Sequence, residues 1–257
     1  TENGGDTWEI LNLPIHTGLN ALSFTNDGYG CIVGSHGVIL NTENWEDQWN
    51  LVCPGNNFGF NDIDFSDSMH GWAVGSASYY PNWASYGSAI VHTADGGAHW
   101  EIQNSTLTGP IQAVDFINNS TGWAVGNSIT ANAYDTAYLI HTTDGGQSWS
   151  VQKWTTDFAF HSVFFIDEST GWVAGGYYDN NGYSEGKILR TQDGGNIWEE
   201  QYCDTCKAFN TVFFVDENNG WAAGSSIYHT LDGGLNWIQQ EFDNPGFNLE
   251  SIHFNDV

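Results

Sequence analysis

Tyr and Trp residues lie in and near three stretches of this sequence, 76–89, 127–137 and 176–186, which are predicted to be long loops on one face of the fold and are otherwise rich in small and polar residues. Flat rings with polar edges stack against sugar faces, and they also anchor protein–protein contacts with little loss of entropy. We therefore predict a ligand-binding surface in and around these stretches. Its predicted residues are Tyr79, Tyr80, Trp83, Tyr86, Tyr134, Tyr138, Trp154, Tyr177, Tyr178 and Tyr183. The alternative is that the rings pack upon one another and hold long loops in place.

The third stretch also contains a candidate cation site in the segment DNNGYSE at 179–185. Asp179, Asn181 and Glu185 offer side-chain oxygens of the kind that calcium prefers, and Gly182 permits a sharp turn between them. The spacing is not that of an EF-hand, so a plain turn rich in Asn and Asp is the competing interpretation. Calcium is the one cofactor that the sequence suggests.

The four cysteines are too few to form the framework of a chain of 257 residues. Cys203 and Cys206, in the segment CDTC, are predicted to form a short surface disulfide, because no βαβ pattern surrounds them as a redox motif would require. Cys31 stands where other copies of a repeated motif have Trp, and we predict a buried thiol there. Pairing of Cys31 with Cys53 is left open.

Two short motifs recur along the chain. They belong to the structural elements that position the candidate ligand-binding residues named above. T-x-D-G-G-x-x-W occurs at 93–100, 142–149, 191–198 and 230–237, and related copies stand at 1–8 and 42–49. A glycine-bounded motif occurs as GCIVG at 30–34, GWAVG at 71–75 and 122–126, GWVAG at 171–175 and GWAAG at 220–224. The Trp that ends each box lies 22 residues before the Gly that opens the next glycine-bounded motif. This constant distance indicates a rigid structural module.

Each repeat is predicted to form four β-strands. Segments that alternate in polarity and end in Phe, such as AVDF at 113–116, indicate an inner strand, and helical periodicity is absent. Four-stranded units that repeat every 40 to 50 residues are typical of an all-β fold, the β-propeller. We therefore predict one propeller domain over 1–257. Its predicted blades are 19–49, 58–100, 111–149, 160–198 and 209–237, with 1–12 and 247–257 as parts of another.

Both ends of the sequence fall inside a blade of this scheme. We expect a piece of a longer chain whose intact ring has six or seven blades, because two missing middle strands would leave unpaired sheet edges. Unusual closure of the ring is the alternative. Asp62, Asp64, Asp115 and His253 lie on inner strands, and we expect them to line a central channel that holds a cation or ordered water, or else simply solvent.

The T-x-D-G-G-x-x-W motifs resemble the Asp-box, or BNR, repeats of sialidase-type propellers, and their pairing with GWAVG is similar to the photosystem II assembly factor-like family. The resemblance covers nearly the whole chain. It implies that the box aspartates shape turns and do not act on substrate; these are Asp95, Asp144, Asp193 and Asp232. The copy at 42–49 departs from the motif, with Asn44 for Asp and Glu46 for the second Gly, so a looser turn is expected there.

The net charge of the chain limits the classes of partner that it can bind. The formal net charge is −27, from 4 Lys and Arg against 31 Asp and Glu, which disfavours nucleic acid and anionic membranes as partners. Membrane insertion is not expected. Sialidases hold their substrate with three arginines, whereas this chain has only Arg190, and the basic patch of the assembly factors has no counterpart.

The sequence therefore predicts an extracellular or cell-surface binding module. Its expected ligand is a carbohydrate or a protein, and the two are ranked nearly level. The alternative is a glycoside hydrolase or another polysaccharide-active enzyme, which needs two carboxylates about 5–10 Å apart. No catalytic pair is marked by the sequence.

Overall fold

The structure is a computed structural model, and it describes most of the chain. The described residues are 6–10, 13, 15–25, 28–43, 49–52, 58–78, 86–103, 107, 109–128, 136–155, 158–178, 184–201, 207–241 and 248–254. Within them, no helix is long and apolar enough to cross a membrane.

The described residues form five antiparallel sheets of four strands each, and each sheet is one blade. Blades 1 and 2 are β1 (Leu19–Phe24), β2 (Gly30–Gly34), β3 (Ile39–Thr42) and β4 (Asn50–Val52), then β5 (Phe58–Phe65), β6 (Gly71–Ser78), β7 (Tyr86–Thr93) and β8 (Glu101–Ile102). Blade 3 is β9 (Ile111–Phe116), β10 (Gly122–Asn127), β11 (Ala137–Thr142) and β12 (Ser150–Thr155). Blades 4 and 5 are β13 (Ala159–Phe165), β14 (Gly171–Tyr178), β15 (Ser184–Thr191) and β16 (Glu199–Gln201), then β17 (Phe209–Phe214), β18 (Gly220–Gly224), β19 (Ile227–Thr230) and β20 (Ile238–Gln240).

Consecutive strands pair within each blade, and the first strands of successive blades pack against one another. A 3-10 turn, Ser35–Gly37, joins β2 to β3 in blade 1. This is the arrangement of a β-propeller, as the repeat spacing predicts. The described strands fall within the five predicted blades or extend them by a few residues.

Neighbouring blades interlock through a repeated aromatic contact. In blades 2, 3 and 4, the Trp of the glycine-bounded strand stacks on the Phe that ends the inner strand of the next blade. The ring centroids lie 3.5 Å apart, with nearly parallel planes, for Trp72 on Phe116, Trp123 on Phe165 and Trp172 on Phe214. All three indoles are completely buried. The same Phe rings meet the box Trp of their own blade edge to face, as in Phe116 with Trp149. Hydrophobic burial therefore couples each blade to the next.

The Asp-box turns have the geometry that the motif predicts. In blade 3, the Asp144 carboxylate accepts bonds from the Thr142 hydroxyl at 2.8 Å and the Ser148 amide at 2.9 Å, and the Gly146 amide donates to the Thr142 hydroxyl at 2.9 Å. Gly145 and Gly146 have φ values of 69° and 83°, which residues other than glycine rarely adopt. The same bonds recur in blades 2, 4 and 5. The box aspartates of these blades thus hold turns together. Residues 44–48 of the divergent copy lie outside the described residues.

Two of the stretches predicted as long loops begin and end in strand. β6 and β7 continue their pairing to Ser78 and Tyr86, and β14 and β15 continue theirs to Tyr178 and Ser184. The expectation of loops is therefore wrong for 76–78, 86–89, 176–178 and 184–186, because antiparallel pairing continues beyond the second Gly of the motif, whereas 79–85 and 179–183 lie outside the described residues. In the third stretch, β10 ends at Asn127 and β11 begins at Ala137.

The last described segment, 248–254, lies beside blade 5. Its Leu249 amide donates to the Gly224 carbonyl at 2.8 Å, and Phe254 packs on Trp221 with a centroid distance of 4.2 Å. This repeats the contact between blades, although no strand is assigned to the segment. At the other end of the chain, residues 6–10 have no assigned strand, and the Trp8 side chain is 77% exposed.

Candidate functional site

The predicted aromatic surface is only partly described. Tyr79, Tyr80, Trp83, Tyr134 and Tyr183 lie outside the described residues. The strands place the backbone of three others: Tyr86 begins β7, Trp154 is near the end of β12, and Tyr178 ends β14. Tyr177 in β14 pairs with Glu185 across the hairpin, and 37% of its side chain is exposed. A ligand surface made by these residues stays a prediction.

Tyr138 is an exception, and its predicted role in ligand binding is wrong. Its side chain is 4% exposed, and its hydroxyl donates to the carbonyl oxygens of Gly109 at 3.0 Å and Pro110 at 3.1 Å. Burial raises the pKa of this phenol well above its usual value, so the hydroxyl stays protonated. Tyr138 thus connects the third strand of blade 3 to the linker before β9. Its position in the sequence, beside a predicted loop, does not predict this contact.

The candidate calcium site is not brought together among the described residues. Asp179 and Asn181 lie outside them, and the exposed Glu185 carboxylate is 3.1 Å from the Lys187 ammonium, which also lies 2.6 Å from Glu200. In the part of the chain that the structure describes, no group of three acidic, His or Cys side chains is placed to hold a metal ion. Calcium remains a prediction.

Cysteine chemistry is described at one position. Cys31 is 1% exposed, and burial raises the pKa of its thiol to about 12. The structure therefore agrees with the predicted buried thiol in the place of a strand Trp. Cys53, Cys203 and Cys206 lie outside the described residues, so the predicted disulfide between Cys203 and Cys206 stays a prediction.

The structure brings three acidic side chains together on neighbouring inner strands. Asp62 accepts the Val114 amide at 2.9 Å, Asp64 accepts the Phe116 amide at 2.7 Å, and Asp115 accepts the Phe165 amide at 2.7 Å. Each carboxylate therefore bonds the backbone of the next blade. These aspartates join the inner strands to each other, while His253 packs on Phe213 at 4.8 Å.

Burial disfavours the ionised form of these three carboxyl groups. It raises the pKa of Asp62 to about 7 and of Asp64 to about 6, although hydrogen bonds from backbone amides pull both pKa values down. Burial, followed by the charge of Asp64, also raises the pKa of Asp115 well above its usual value. The folded protein therefore binds these protons more tightly than the unfolded chain does.

The sign of the resulting pH dependence follows from linkage. Because these folded-state pKa values are raised, the stability they contribute is present at low pH and is lost as the pH rises from about 4 to about 7. We expect the free energy of unfolding, measured with urea, to fall between about pH 5 and about pH 7.5, and Asp62→Asn to reduce that fall. Asp167→Asn is the control, because hydrogen bonds lower the pKa of Asp167 and it titrates below this window. An equal fall in wild type and Asp62→Asn would contradict the assignment.

A groove between blades 2 and 3 was not predicted from the sequence. Its cavity measures about 550 Å³ and lies at the Asp-box end of the junction. We call it the blade 2–3 groove. The side chains that line it include His70, His92, Glu101, Asn119, Asp144 and Gln147. Its residues come from turns and an outer strand that are far apart in sequence, and no motif links them.

Two histidines form one wall of the groove. His92 lies opposite Trp72 in the β6–β7 pairing, and its ring packs on that indole at 4.8 Å and on His70 at 6.1 Å. Burial, with a further contribution from the neighbouring His70, lowers the pKa of His92 and favours its neutral form. Asp67 lies 3.0 Å from the His70 ring and orients it. Glu101 and Asp144 are exposed carboxylates, so the groove is polar and has acidic edges.

Comparison with known proteins agrees with this architecture. Residues 45–158 match the family of the photosynthesis system II assembly factor YCF48. A solved structure described as YCF48 bound to D1 peptide is 15% identical, with 90% of this chain and 83% of that chain covered and a TM-score of 0.55. YCF48 from Cyanidioschyzon merolae is 17% identical over 95% of this chain and 92% of that chain, with a TM-score of 0.49. A GH74 xyloglucanase from Xanthomonas campestris is 11% identical over 88% of this chain and 46% of that chain, with a TM-score of 0.52. No curated protein sequence matches the chain.

The chain is therefore a BNR-type β-propeller that resembles the photosystem II assembly factor. The structural likeness to the xyloglucanase extends to the fold alone. An assembly factor of photosystem II acts within the photosynthetic compartment and not outside the cell. The predicted extracellular or cell-surface location is therefore wrong.

Proposed function

We propose that this chain is a protein-binding scaffold that recognises a cationic segment of a protein partner. The observation that carries the proposal is the family match over 45–158, which spans blades 2 and 3. The matched family is that of an assembly factor, and a solved relative by fold is described as bound to a peptide. Repeated blades joined by buried aromatic stacking form a rigid support for such binding.

The charge distribution supports a cationic partner. All four Lys and Arg residues fall within 153–207, so the first 152 residues have none. Two of the four are engaged within blade 4, because Lys187 lies between two carboxylates and the Arg190 guanidinium lies over the Trp172 ring at 5.4 Å. Blades 1 to 3 therefore contain many acidic residues and only one Lys or Arg, which is Lys153 in β12. Complementary charge of this kind accelerates association and excludes acidic competitors.

The contact surface remains a proposal. The hairpins β6–β7 and β14–β15 extend beyond the repeated motif, and Tyr177 presents part of its ring there. Tyr and Trp on a rigid support are the residues that most often anchor protein contacts. A carbohydrate ligand and glycoside hydrolysis gain no support from the comparisons, since the xyloglucanase shares only the fold.

The test is to incubate the purified chain with an array of overlapping D1 peptides and, in parallel, with a glycan array. We expect peptides rich in Lys and Arg to bind, and replacement of those residues by Glu to abolish binding, because the chain carries a net charge of −27. Tyr177→Ala is expected to weaken peptide binding. Leu231→Ala is its control, because Leu231 is an exposed apolar residue of the blade 5 box.

Binding of glycans without binding of any peptide would contradict the proposal. Equal loss of peptide binding in Tyr177→Ala and Leu231→Ala would still support a protein partner. It would contradict the proposal that the hairpins form the contact surface. Circular dichroism of both variants checks that the fold is intact.

A further inference from the structure

The groove between blades 4 and 5 shows what the blade 2–3 groove is shaped to hold. Arg190 lies opposite Trp172 in the β14–β15 pairing, the same position that His92 occupies opposite Trp72. The Arg190 guanidinium lies over the Trp172 ring at 5.4 Å, and its Nη2 donates to the Glu217 carbonyl oxygen at 3.5 Å. An arginine of the chain itself thus occupies that groove.

The blade 2–3 groove is bordered by the equivalent strands and turns, but the side chain at this position is shorter. Asn119 is the counterpart of Glu217, and both carbonyl oxygens face the first Gly of a box: a Cβ built on Gly145 would lie 2.9 Å from Asn119 O, and one built on Gly233 would lie 2.7 Å from Glu217 O. His92 is shorter than Arg, and the cavity of about 550 Å³ lies beside it. The carbonyl acceptor that receives a guanidinium between blades 4 and 5 is therefore present, and the His92 ring covers the indole face that corresponds to the one under Arg190.

The charge of the blade 2–3 groove favours a cation. Glu101 and Asp144 border it, and its described lining has no Lys or Arg. His70 and His92 are the basic groups that face it, and burial and the proximity of the two rings oppose protonation of His92. A guanidinium has a planar face for stacking on His92 and donors for a carbonyl and a carboxylate.

We propose that the blade 2–3 groove binds an arginine side chain of the protein partner. The inference rests on the proposed function only in taking the partner to be a protein. The guanidinium stacks on the His92 ring, donates to the Asn119 carbonyl and pairs with Glu101. The groove thereby selects Arg over Lys, because an ammonium lacks the planar face and the forked donors.

The test follows the indole N–H signal of Trp72 by NMR during titration with acetyl-Gly-Arg-Gly-amide. This N–H donates to the Gly145 carbonyl at 3.1 Å, so it reports on the floor of the groove. We expect a saturable shift with the arginine peptide and none with the same peptide containing citrulline, which has the shape of arginine without its charge. A lysine peptide is expected to bind at least about fivefold more weakly.

Two pairs of variants locate the effect. His92→Arg is expected to fill the groove from within, as Arg190 does between blades 4 and 5, and to abolish the shift. His141→Arg makes the same change at the matching position opposite Trp123 in blade 3 and is expected to leave the titration unchanged. Glu101→Gln is expected to weaken binding about threefold while Glu199→Gln, its counterpart in blade 4, has no effect. The glutamine pair keeps the proposal testable if the arginine variants do not fold.

An unchanged titration in His92→Arg and Glu101→Gln would overturn the groove assignment, as would an equal shift with the citrulline peptide. If no D1 peptide binds on the array but the arginine peptide still titrates the Trp72 signal, the proposed function fails and the groove assignment stands. If array peptides bind and the Trp72 signal does not respond, the groove assignment fails alone.

Discussion

Replacing Trp123 by Ala is expected to destabilise the fold by about 3–5 kcal/mol, the usual cost of emptying a buried aromatic site. The Trp123 indole is completely buried between Phe165, at 3.5 Å, and His141, at 4.7 Å, so its removal opens a cavity between two blades. Urea unfolding of the variant and the wild type measures the difference. Trp8→Ala is the control, because 77% of that side chain is exposed, and we expect a change within about 0.5 kcal/mol.

The box tryptophans are expected to rank below the strand tryptophans. The sequence alone predicts costs of about 3–5 kcal/mol for Trp100, Trp149 and Trp198, with a much smaller cost for Trp83. The structure shows the first three to be only partly buried, whereas the strand indoles are fully buried. A larger loss of stability for Trp149→Ala than for Trp123→Ala would contradict the interlocking described here.

Gly75→Ala is the second substitution with a large expected effect. A Cβ at Gly75 would overlap the carbonyl oxygen of Gly59 and would lie 2.8 Å from the Cα of Phe60. Both are backbone atoms of the inner strand, so a change of side-chain rotamer cannot relieve the overlap. We expect a loss of about 3 kcal/mol, at the upper end of the range for overpacking, measured as a lower urea midpoint.

Gly59→Ala provides the matched control. Gly59 is in the adjacent strand β5, and a Cβ there would meet only the Ser76 hydroxyl, at an ordinary distance of 3.5 Å. We expect little change in stability. Similar losses in the two variants would show that the second Gly of the motif is not required by the close approach of the inner strand.

Much of the fold could be predicted from the sequence because its determinants are local and repeated. The spacing of 22 residues, the two glycines of GWAVG and the box turn each act within one blade or between adjacent blades. Contacts such as Trp72 on Phe116 repeat at the three junctions from blade 2 to blade 5, so one correct interpretation of the motif extends over these blades.

The candidate site could not be predicted to the same extent, since it depends on residues that are not repeated. Tyr138 has the composition of a surface residue, and only the position of the Gly109 and Pro110 carbonyl groups shows that its hydroxyl is used in the core. The blade 2–3 groove lies beside His92, at the position that Arg190 occupies in blade 4. A sequence comparison of the five third strands would have found that difference, but not the space beside it.

The most direct test of a scaffold for cationic protein segments is the salt dependence of its affinity for the D1 peptide that binds best. Isothermal titration calorimetry at about 20 mM and about 200 mM NaCl gives the two dissociation constants. A site on a chain with a net charge of −27 is expected to lose about tenfold in affinity over this range, because salt screens exposed charges. Equal affinity at both salt concentrations would contradict the account.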